Sequence, residues 1–495
     1  MFLKDQTHLG IKEKIIGLET QFNVDKWKVN GIYVWPYIRI KLYFLLLTNS
    51  NSEIDNPKSS TKLIKSPNEN KLFSKFKLIF RIISSFYKTE SFFLLLKQKK
   101  ILFFGSHIHR VMHGEENFSR FFDSMVSFHK LEKEVYMIEH QKVYSANHNQ
   151  KAIIKLESII QNYILLSKFR TIFDKPKPVI FLEGYEDFLR FLEKDITNAT
   201  SLKINSNELV FWTQKIQNIA GFFYRVFSKV KPDKIIFPGY YGWDNLYSAV
   251  LTANKLGIRT IDFQHGPQTN VHMVFTDWNK VPLEGFNIMP TEYWCWDEKS
   301  KQNIENWSKK TTTVSVKNVG QPYLEYWRLK NKEILTHKKT VLYSLQLMPL
   351  SEMLNETIVN LIANSDDVWQ IRLHPRNEFT KNDIVKYLDN LDVNQSKYDI
   401  HDSRELPLPV IFNKTFLHVT AFSGCLIEAI MTGIPSIIIN NVGKEIYEDY
   451  IDNELVFYLD QKSSIFEMDF FKLYNNFKEN KYNVEPRPIV NPTLA

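Results

Sequence analysis

Asp262-Phe263-Gln264-His265-Gly266-Pro267 sets a histidine between an apolar run and a Gly-Pro turn. An imidazole held at a strand end, with an ordinary pKa of about 6.5, can take a proton from a hydroxyl at neutral pH. His265 is therefore the first candidate general base, and Asp262 is placed to orient its ring or to cap the next turn. A structural alternative is a histidine that only stitches the loop together. Arg372-Leu373-His374-Pro375-Arg376 is a second group. Arg372 and His374 are two residues apart, so on a strand they share a face. Pro375 fixes the backbone after them. With Arg376 they form a cationic, hydrogen-bonding set suited to a departing diphosphate.

The third group is Thr420-Ala421-Phe422-Ser423-Gly424-Cys425, followed by the apolar run to Met431 and then Gly433-Ile434-Pro435. Ser423 is a good helix N-cap, Gly424 leaves the backbone bare, and Gly433 and Pro435 end the helix. N–H groups at a helix start, with the helix dipole behind them, attract phosphate. Glu428 in that helix is a candidate for ribose hydroxyls, as acids are in dinucleotide sites. The loop from Gly105 to Glu116 is the fourth group, with His107, His109, Arg110, His113, Glu115 and Glu116. We read it as facing an acceptor through His109 and Arg110, with Glu115 or Glu116 as a reserve base. In Gly239-Tyr240-Tyr241-Gly242-Trp243-Asp244, Tyr241 can stack on a sugar, while Asp244 caps a helix or meets a hydroxyl.

These groups sit at the ends of short apolar runs. Lys100–Gly105, Pro178–Leu182, Asp233–Pro238, Ile258–Phe263, Lys339–Ser344, Trp369–Leu373, Leu417–Thr420 and Ile437–Asn440 read as strands, with helices at 151–170, 185–230, 244–256 and 350–364. Alternating strands and helices imply parallel sheets, whose ligands sit at the carboxyl ends of the strands. Two successive α/β units result, 100–320 and 321–460, with a helix and tail at 461–495. Residues 1–99 read as a helical, basic-aromatic extension, with 48–70 rich in Asn, Ser, Lys and Pro and flexible.

Between 71 and 100, bases alternate with aromatics and Glu90 is the single acid. Helices packed on a domain and a surface resting on anionic lipid both fit this pattern. The net charge of +8 over 495 residues suits an anionic substrate or acidic lipid and does not itself indicate nucleic acid. Cys295 and Cys425 are the two cysteines, which excludes a disulfide framework and fits a reducing cytoplasm. No signal-peptide core is visible at the N-terminus, and no apolar run reaches the ~20 residues that span a bilayer. Walker, GxGxxG, GxSxG, HExxH and Asp-x-Asp patterns are missing. No catalytic metal site is expected.

Over most of residues 100–455 the chain resembles bacterial GT-B glycosyltransferases of surface-polysaccharide synthesis. Gln264-His265-Gly266-Pro267 resembles the His-Gly loop of CDP-glycerol glycerophosphotransferases of teichoic acid synthesis, where the histidine is the base. His374-Pro375 resembles the His-Pro motif of bacterial sialyltransferases and capsule Kdo transferases, which contacts the nucleotide phosphate. Ser423-Gly424 stands where those families carry paired serines. Asn318-Val319-Gly320-Gln321-Pro322 resembles a Gly-Asn-Pro turn near their domain crossover. The resemblance implies an α/β, GT-B-like chain, with two Rossmann-like domains facing a cleft. It implies a nucleotide-sugar donor as co-substrate, no other cofactor, and a donor site drawing on Arg372, His374, Arg376, Ser423, Gly424, Glu428, Gly320 and Ser344. Its partners would be the donor, a glycan or lipid-linked glycan acceptor (capsule or lipopolysaccharide O-antigen) and an anionic membrane surface, with no nucleic acid. Its place would be cytoplasmic, peripheral at the inner face of the membrane. The implied reaction is metal-independent inverting transfer. Polyol-phosphate transfer, a nucleotide-sugar 2-epimerase and a non-catalytic glycan-binding scaffold remain alternatives.

Overall fold

The computed structural model describes residues 7–50, 71–140, 143–170, 177–330, 340–376, 378–403, 405–451 and 454–479. The first domain is built on seven strands: β1 (Ile101–Gly105), β2 (Val135–Glu139), β3 (Ile153–Lys155), β4 (Lys234–Phe237), β5 (Arg259–Phe263), β6 (Glu292–Cys295) and β7 (Ser315–Asn318). They lie side by side as β7-β6-β5-β4-β1-β2-β3, all parallel. The second holds β8 (Thr340–Ser344), β9 (Val368–Arg372), β10 (Tyr398–His401), β11 (Thr415–Thr420), β12 (Ser436–Ile438) and β13 (Val456–Tyr458). Their order is β10-β9-β8-β11-β12-β13, again all parallel. Each sheet thus repeats the doubly wound 3-2-1-4-5-6 order of a Rossmann domain, the first with one added strand. The α/β, GT-B-like class expected from the sequence is the class observed.

Central strands are apolar along their length because helices cover both faces. Ile101, Leu102, Phe103 and Phe104 of β1 are all buried, as are Phe416, Leu417 and Val419 of β11. Strand ends are level: Ser344 lies opposite both Arg372 and Thr420, which brings three polar loops to one edge. In each sheet the chain reverses direction of growth between its first and fourth strands. Loops 106–109 and 239–243 flank that crevice in the first domain, and the turn at 421–424 flanks it in the second.

One apolar cluster runs across the domain boundary. It joins Phe121, Trp294, Trp296 and Val319 of the first domain to Leu426, Ile430, Tyr447 and Tyr450 of the second. Tyr450 Oη donates to Asp297 at 2.9 Å, and Asn303 Nδ2 donates to Asp449 at 3.2 Å. The helix Phe466–Lys478 packs on the second sheet through Phe466, Phe470 and Tyr474.

The helices His8–Gln21 and Trp35–Ser50 share the core of the first domain. Glu19 and Arg39 form a fully buried ion pair at 2.8 Å. Glu19 also accepts from Asn279 N–H (2.7 Å), while Arg39 donates to the Thr276 and Asp277 carbonyls. The N-terminal helices therefore brace the segment that follows the His265 loop. Of the stretch expected to be flexible, 48–50 end the second helix and 51–70 lie outside the described residues, as does the tail 480–495. The strand expected at 178–182 shrinks to Ile180–Phe181. It pairs antiparallel with Lys28–Val29 because its side chains are exposed and cannot enter a covered sheet. Residues 153–155, read as helix, form the edge strand β3.

Candidate functional site

Gln264 sets the turn that carries His265. Its buried amide donates to the Gly266 carbonyl (3.0 Å) and to Ser300 Oγ (3.1 Å), and its oxygen accepts from Trp296 N–H at 2.6 Å. Asp262 is fully buried and accepts from Tyr240 N–H at 2.9 Å. Burial pushes its carboxyl well above the usual range. Asp262 thus anchors the 239–240 loop and makes no bond to the imidazole. Its effect on His265 is indirect: Gly239, at φ +85°, backs the ring so closely that a Cβ would lie 2.8 Å from His265 Cε1. Around the ring stand His109 (5.8 Å between centroids), Tyr241 (6.2 Å) and Phe275 (6.5 Å). His265 Nδ1 is buried without a hydrogen-bond partner. Burial, then the charge of Arg120, lowers its pKa to about 4, so the ring is neutral and able to accept a proton at neutral pH.

On the second domain, His374 takes a hydrogen bond on Nδ1 from Arg376 N–H at 3.2 Å. Burial, with Arg376 and Arg120 nearby, brings it down to about 4. Ser423 N–H donates to Thr420 Oγ1 (2.9 Å), and Ser423 Oγ accepts from Cys425 N–H (3.3 Å), so the serine ties the turn that leads into the helix Cys425–Met431, whose N-cap is Gly424 and not the expected Ser423. Gly433, at φ +76°, closes that helix, with Ile434 N–H returning to the Ala429 carbonyl at 3.0 Å. A Cβ on Gly424 would lie 3.0 Å from Pro267 Cδ. The serine-glycine turn of one domain and the His-Gly-Pro loop of the other therefore meet, and a second serine would press on Pro267. Gly320, at φ +70°, turns the chain into Gln321, whose amide donates to Glu428 at 3.1 Å. Burial raises the Glu428 carboxyl, against the pull of Arg120 and Arg372.

Four expected contacts are committed to scaffold instead. Arg110 is buried between Glu139 (2.5 Å) and Asp123 (3.4 Å). Asp244 opens a helix and holds Trp212 Nε1 (3.0 Å) and Lys215 (2.6 Å). Ser344 Oγ pairs with buried His418 at 2.8 Å. Arg372 directs its terminal nitrogens to the carbonyls of Leu406 (2.6 Å) and Ser403 (2.7 Å), bracing that loop. Glu115 lies exposed at the tip of the hairpin Arg110–His113/Glu116–Ser119, where Glu116 pairs with His148 at 2.8 Å. His109, Tyr241 and His265 are brought together, and Tyr241 also stacks with Phe44 from the second N-terminal helix at 6.2 Å. Arg120 was not singled out from sequence. It stands at the end of the hairpin, with its charge felt by groups on both domains. Nothing in Ser119-Arg120-Phe121 marks it in the sequence. Among the described residues, no three or more His, Cys, Asp or Glu side chains are placed to hold a metal ion.

No protein-family model matches the chain, and no curated protein matches it in sequence. Among solved structures it is similar to UDP-GlcNAc 2-epimerase from Neisseria meningitidis bound to UDP-GlcNAc. That match has 13% identity and a TM-score of 0.46, covering 79% of this chain and 96% of that one. Acinetobacter baumannii MurG matches at 10% identity and TM-score 0.39, over 78% and 96% of the two chains. The calicheamicin glycosyltransferase CalG4 matches at 12% identity and TM-score 0.40, over 77% and 90%. At these scores the likeness identifies neither a reaction nor a substrate.

Proposed function

We propose that this chain is a metal-independent, inverting glycosyltransferase. It would move a sugar from a nucleotide-activated donor to a cell-surface polysaccharide or its lipid-linked precursor. The observation that carries this reading is the meeting of the His265 loop with the Ser423-Gly424 turn at the Gly424–Pro267 contact. In this reading the neutral imidazole of one domain and the Ser423 turn and His374 of the other line one cleft. His265 accepts the proton of an acceptor hydroxyl as that oxygen attacks the anomeric carbon. The bond to the donor phosphate breaks on the opposite face. His374 and the backbone around Ser423 receive the departing nucleotide, in place of a metal ion. Tyr241 and Phe44 offer an aromatic wall to the acceptor sugar. Polyol-phosphate transfer would use the same base and anion site, and its product differs. Calorimetric titration of the full chain with CMP, CDP, UDP, GDP and dTDP tests the donor site. One nucleotide should bind, and silence across the panel would contradict the proposal.

A location at the inner face of a membrane is part of the same proposal. Among the described residues, no helix is long and apolar enough to cross a bilayer. The helix Lys71–Leu95 packs through Ser85, Thr89 and Phe93, with Arg225 over the Phe93 ring at 3.9 Å. Its opposite face exposes Phe80, Ile83, Tyr87 and Leu94, which helical spacing lines up, beside exposed Arg81, Lys88 and Lys97. Such a face fits an anionic leaflet that also holds a lipid-linked acceptor. Flotation with anionic vesicles, absent with neutral ones and lost in a Phe80→Ser/Ile83→Ser/Tyr87→Ser variant, is expected. Flotation that ignores lipid charge or the variant would overturn this placement.

A further inference from the structure

Arg120 closes the hairpin on the first domain, two residues before the helix Phe122–His129. Its backbone N–H donates to the His109 carbonyl at 3.2 Å. Its guanidinium lies over the Phe121 ring at 4.7 Å, a contact that leaves the in-plane N–H donors open. Nε is buried and has no hydrogen-bond partner, and no ion pair to this side chain forms among the described residues. The neighbouring arginines differ. Arg110 is neutralised by Glu139 and Asp123, Arg372 is held by two carbonyls, and Arg376 is exposed. Glu428 feels its charge, but burial pushes that carboxyl toward the neutral form, and it accepts its hydrogen bond from Gln321. The half-buried guanidinium therefore has no hydrogen-bonded counter-charge and is unfavourable unless a ligand supplies one.

Its position is at the domain boundary: Phe121, the ring beneath its guanidinium, belongs to the apolar cluster that joins Trp296 of the first domain to Leu426 and Tyr447 of the second. The positive charge of Arg120 bears on His109 and His265 of the first domain, and on Arg372, His374, Cys425 and Glu428 of the second. We propose that Arg120 is the anion-binding side chain of the cleft, reaching from the first domain to hold the phosphate oxygens of a nucleotide donor seated on the second. The inference rests on the nucleotide-sugar reading above and deepens it. Arg372 keeps its positive charge but commits a donor of each terminal nitrogen to a carbonyl, so the direct contact with phosphate comes from across the cleft. Donor binding would then need both domains in place. Phosphate paired with Arg120 would also offset the positive charge beside His265 and let the imidazole hold a proton more readily. The base would gain strength only once the donor is seated. The other groups around His265 are His109, Tyr241 and Phe275, with Asp262 behind the Gly239 loop.

Arg120→Gln and Arg120→Lys, each in the full chain, test this by calorimetry with inorganic pyrophosphate and with CDP, UDP, GDP and dTDP against their nucleosides. Wild type should prefer the diphosphate over its nucleoside by about 10-fold or more. Arg120→Gln should cut that preference by about 10-fold, the share His374 and the Ser423 turn do not supply, and leave nucleoside binding unchanged, with partial recovery in Arg120→Lys. In wild type, pyrophosphate should raise the pKa read from the His265 Cε1 proton resonance; in Arg120→Gln it should not. An unchanged diphosphate-to-nucleoside ratio in Arg120→Gln would overturn the assignment of Arg120 alone. Failure of wild type to bind any nucleotide or pyrophosphate would overturn it together with the donor reading. Folding is checked by the melting temperature, and if Arg120→Gln melts early the Arg120→Lys ratio decides.

Discussion

Gly239→Ala and Gly242→Ala form a matched pair around the candidate base. Both glycines sit in the left-handed region, at φ +85° and +87°. An alanine at either position carries the same backbone penalty, about 1–2 kcal/mol. They differ in what a Cβ meets. At Gly242 there is nothing within 4 Å, whereas at Gly239 it lies 2.8 Å from His265 Cε1 and 3.2 Å from Nδ1. Ordinary carbon contact is ~3.5 Å, so the ring must retreat by about 0.7 Å. Overpacking of this kind adds about 1–3 kcal/mol. Gly239→Ala should therefore lose about 2–5 kcal/mol by urea unfolding, and Gly242→Ala about 1–2 kcal/mol. Misplacing a catalytic group by ~1 Å costs about 100-fold in rate. Transfer by Gly239→Ala should fall ten- to a hundredfold, on the order of that figure, with Gly242→Ala near wild type. The His265 Cε1 proton resonance should move in the first variant and stay in the second. Equal loss of rate in both variants would refute the claim that the 239–240 loop positions His265.

Three other perturbations follow from the packing. A Cβ on Gly443 would lie 1.9 Å from the Ala421 carbonyl oxygen, so Gly443→Ala must displace backbone beside Ser423; a loss of about 3–5 kcal/mol in thermal melts is expected, and an unchanged melt would contradict the close approach. Glu19→Gln leaves Arg39 buried and unpaired and should lose about 3–5 kcal/mol, while a loss under about 1 kcal/mol would show that the pair does not hold the N-terminal helices. His418 lies between Ser344 (2.8 Å) and Ser436 (2.9 Å), and burial lowers it to about 3. Its folded pKa is below the unfolded one, so its contribution is intact above about pH 6.5 and is lost as pH falls toward the folded value. The stability of wild type relative to His418→Gln should drop by about 1.4 kcal/mol per pH unit between about pH 6.5 and 4 in urea titrations; a difference independent of pH would contradict a neutral, buried His418.

Loops at carboxyl edges were legible because central strands of a covered parallel sheet are continuous apolar runs that stop abruptly at polar residues. Ile101–Phe104 before Ser106 and Ile235–Phe237 before Gly239 are of this kind. Edge strands were harder to see: Tyr398–His401 and Val456–Tyr458 are short or mixed with polar residues, since an edge needs less apolar cover, and Val135–Glu139, one strand in from an edge, is likewise mixed. The helix at 425–431 followed from its apolar run and its glycine stop, while its N-cap fell at Gly424, one residue past the serine that local rules favour. What individual polar side chains do was not legible, because their partners are remote in the chain. Arg110 meets Glu139 29 residues on, Trp212 reaches Asp244 across 32, Arg372 finds Leu406 across 34, and Ser344 finds His418 across 74. Gly424 is the informative departure from the paired serines of the resembling families. Its missing side chain makes room for Pro267, which no local reading of either motif contains.

The most direct test of the central claim is the fate of a nucleotide sugar. Wild-type chain and His265→Gln are each given a panel of CMP-, CDP-, UDP-, GDP- and dTDP-activated sugars with an isolated lipid-linked glycan acceptor, and products are followed by mass spectrometry. Wild type should consume one donor and attach the intact sugar to the acceptor, while His265→Gln still binds that donor and transfers about 100- to 10,000-fold more slowly. Equal transfer by the variant, a sugar that arrives on the acceptor still carrying its phosphate, or a donor returned only as its epimer would contradict glycosyl transfer with His265 as base.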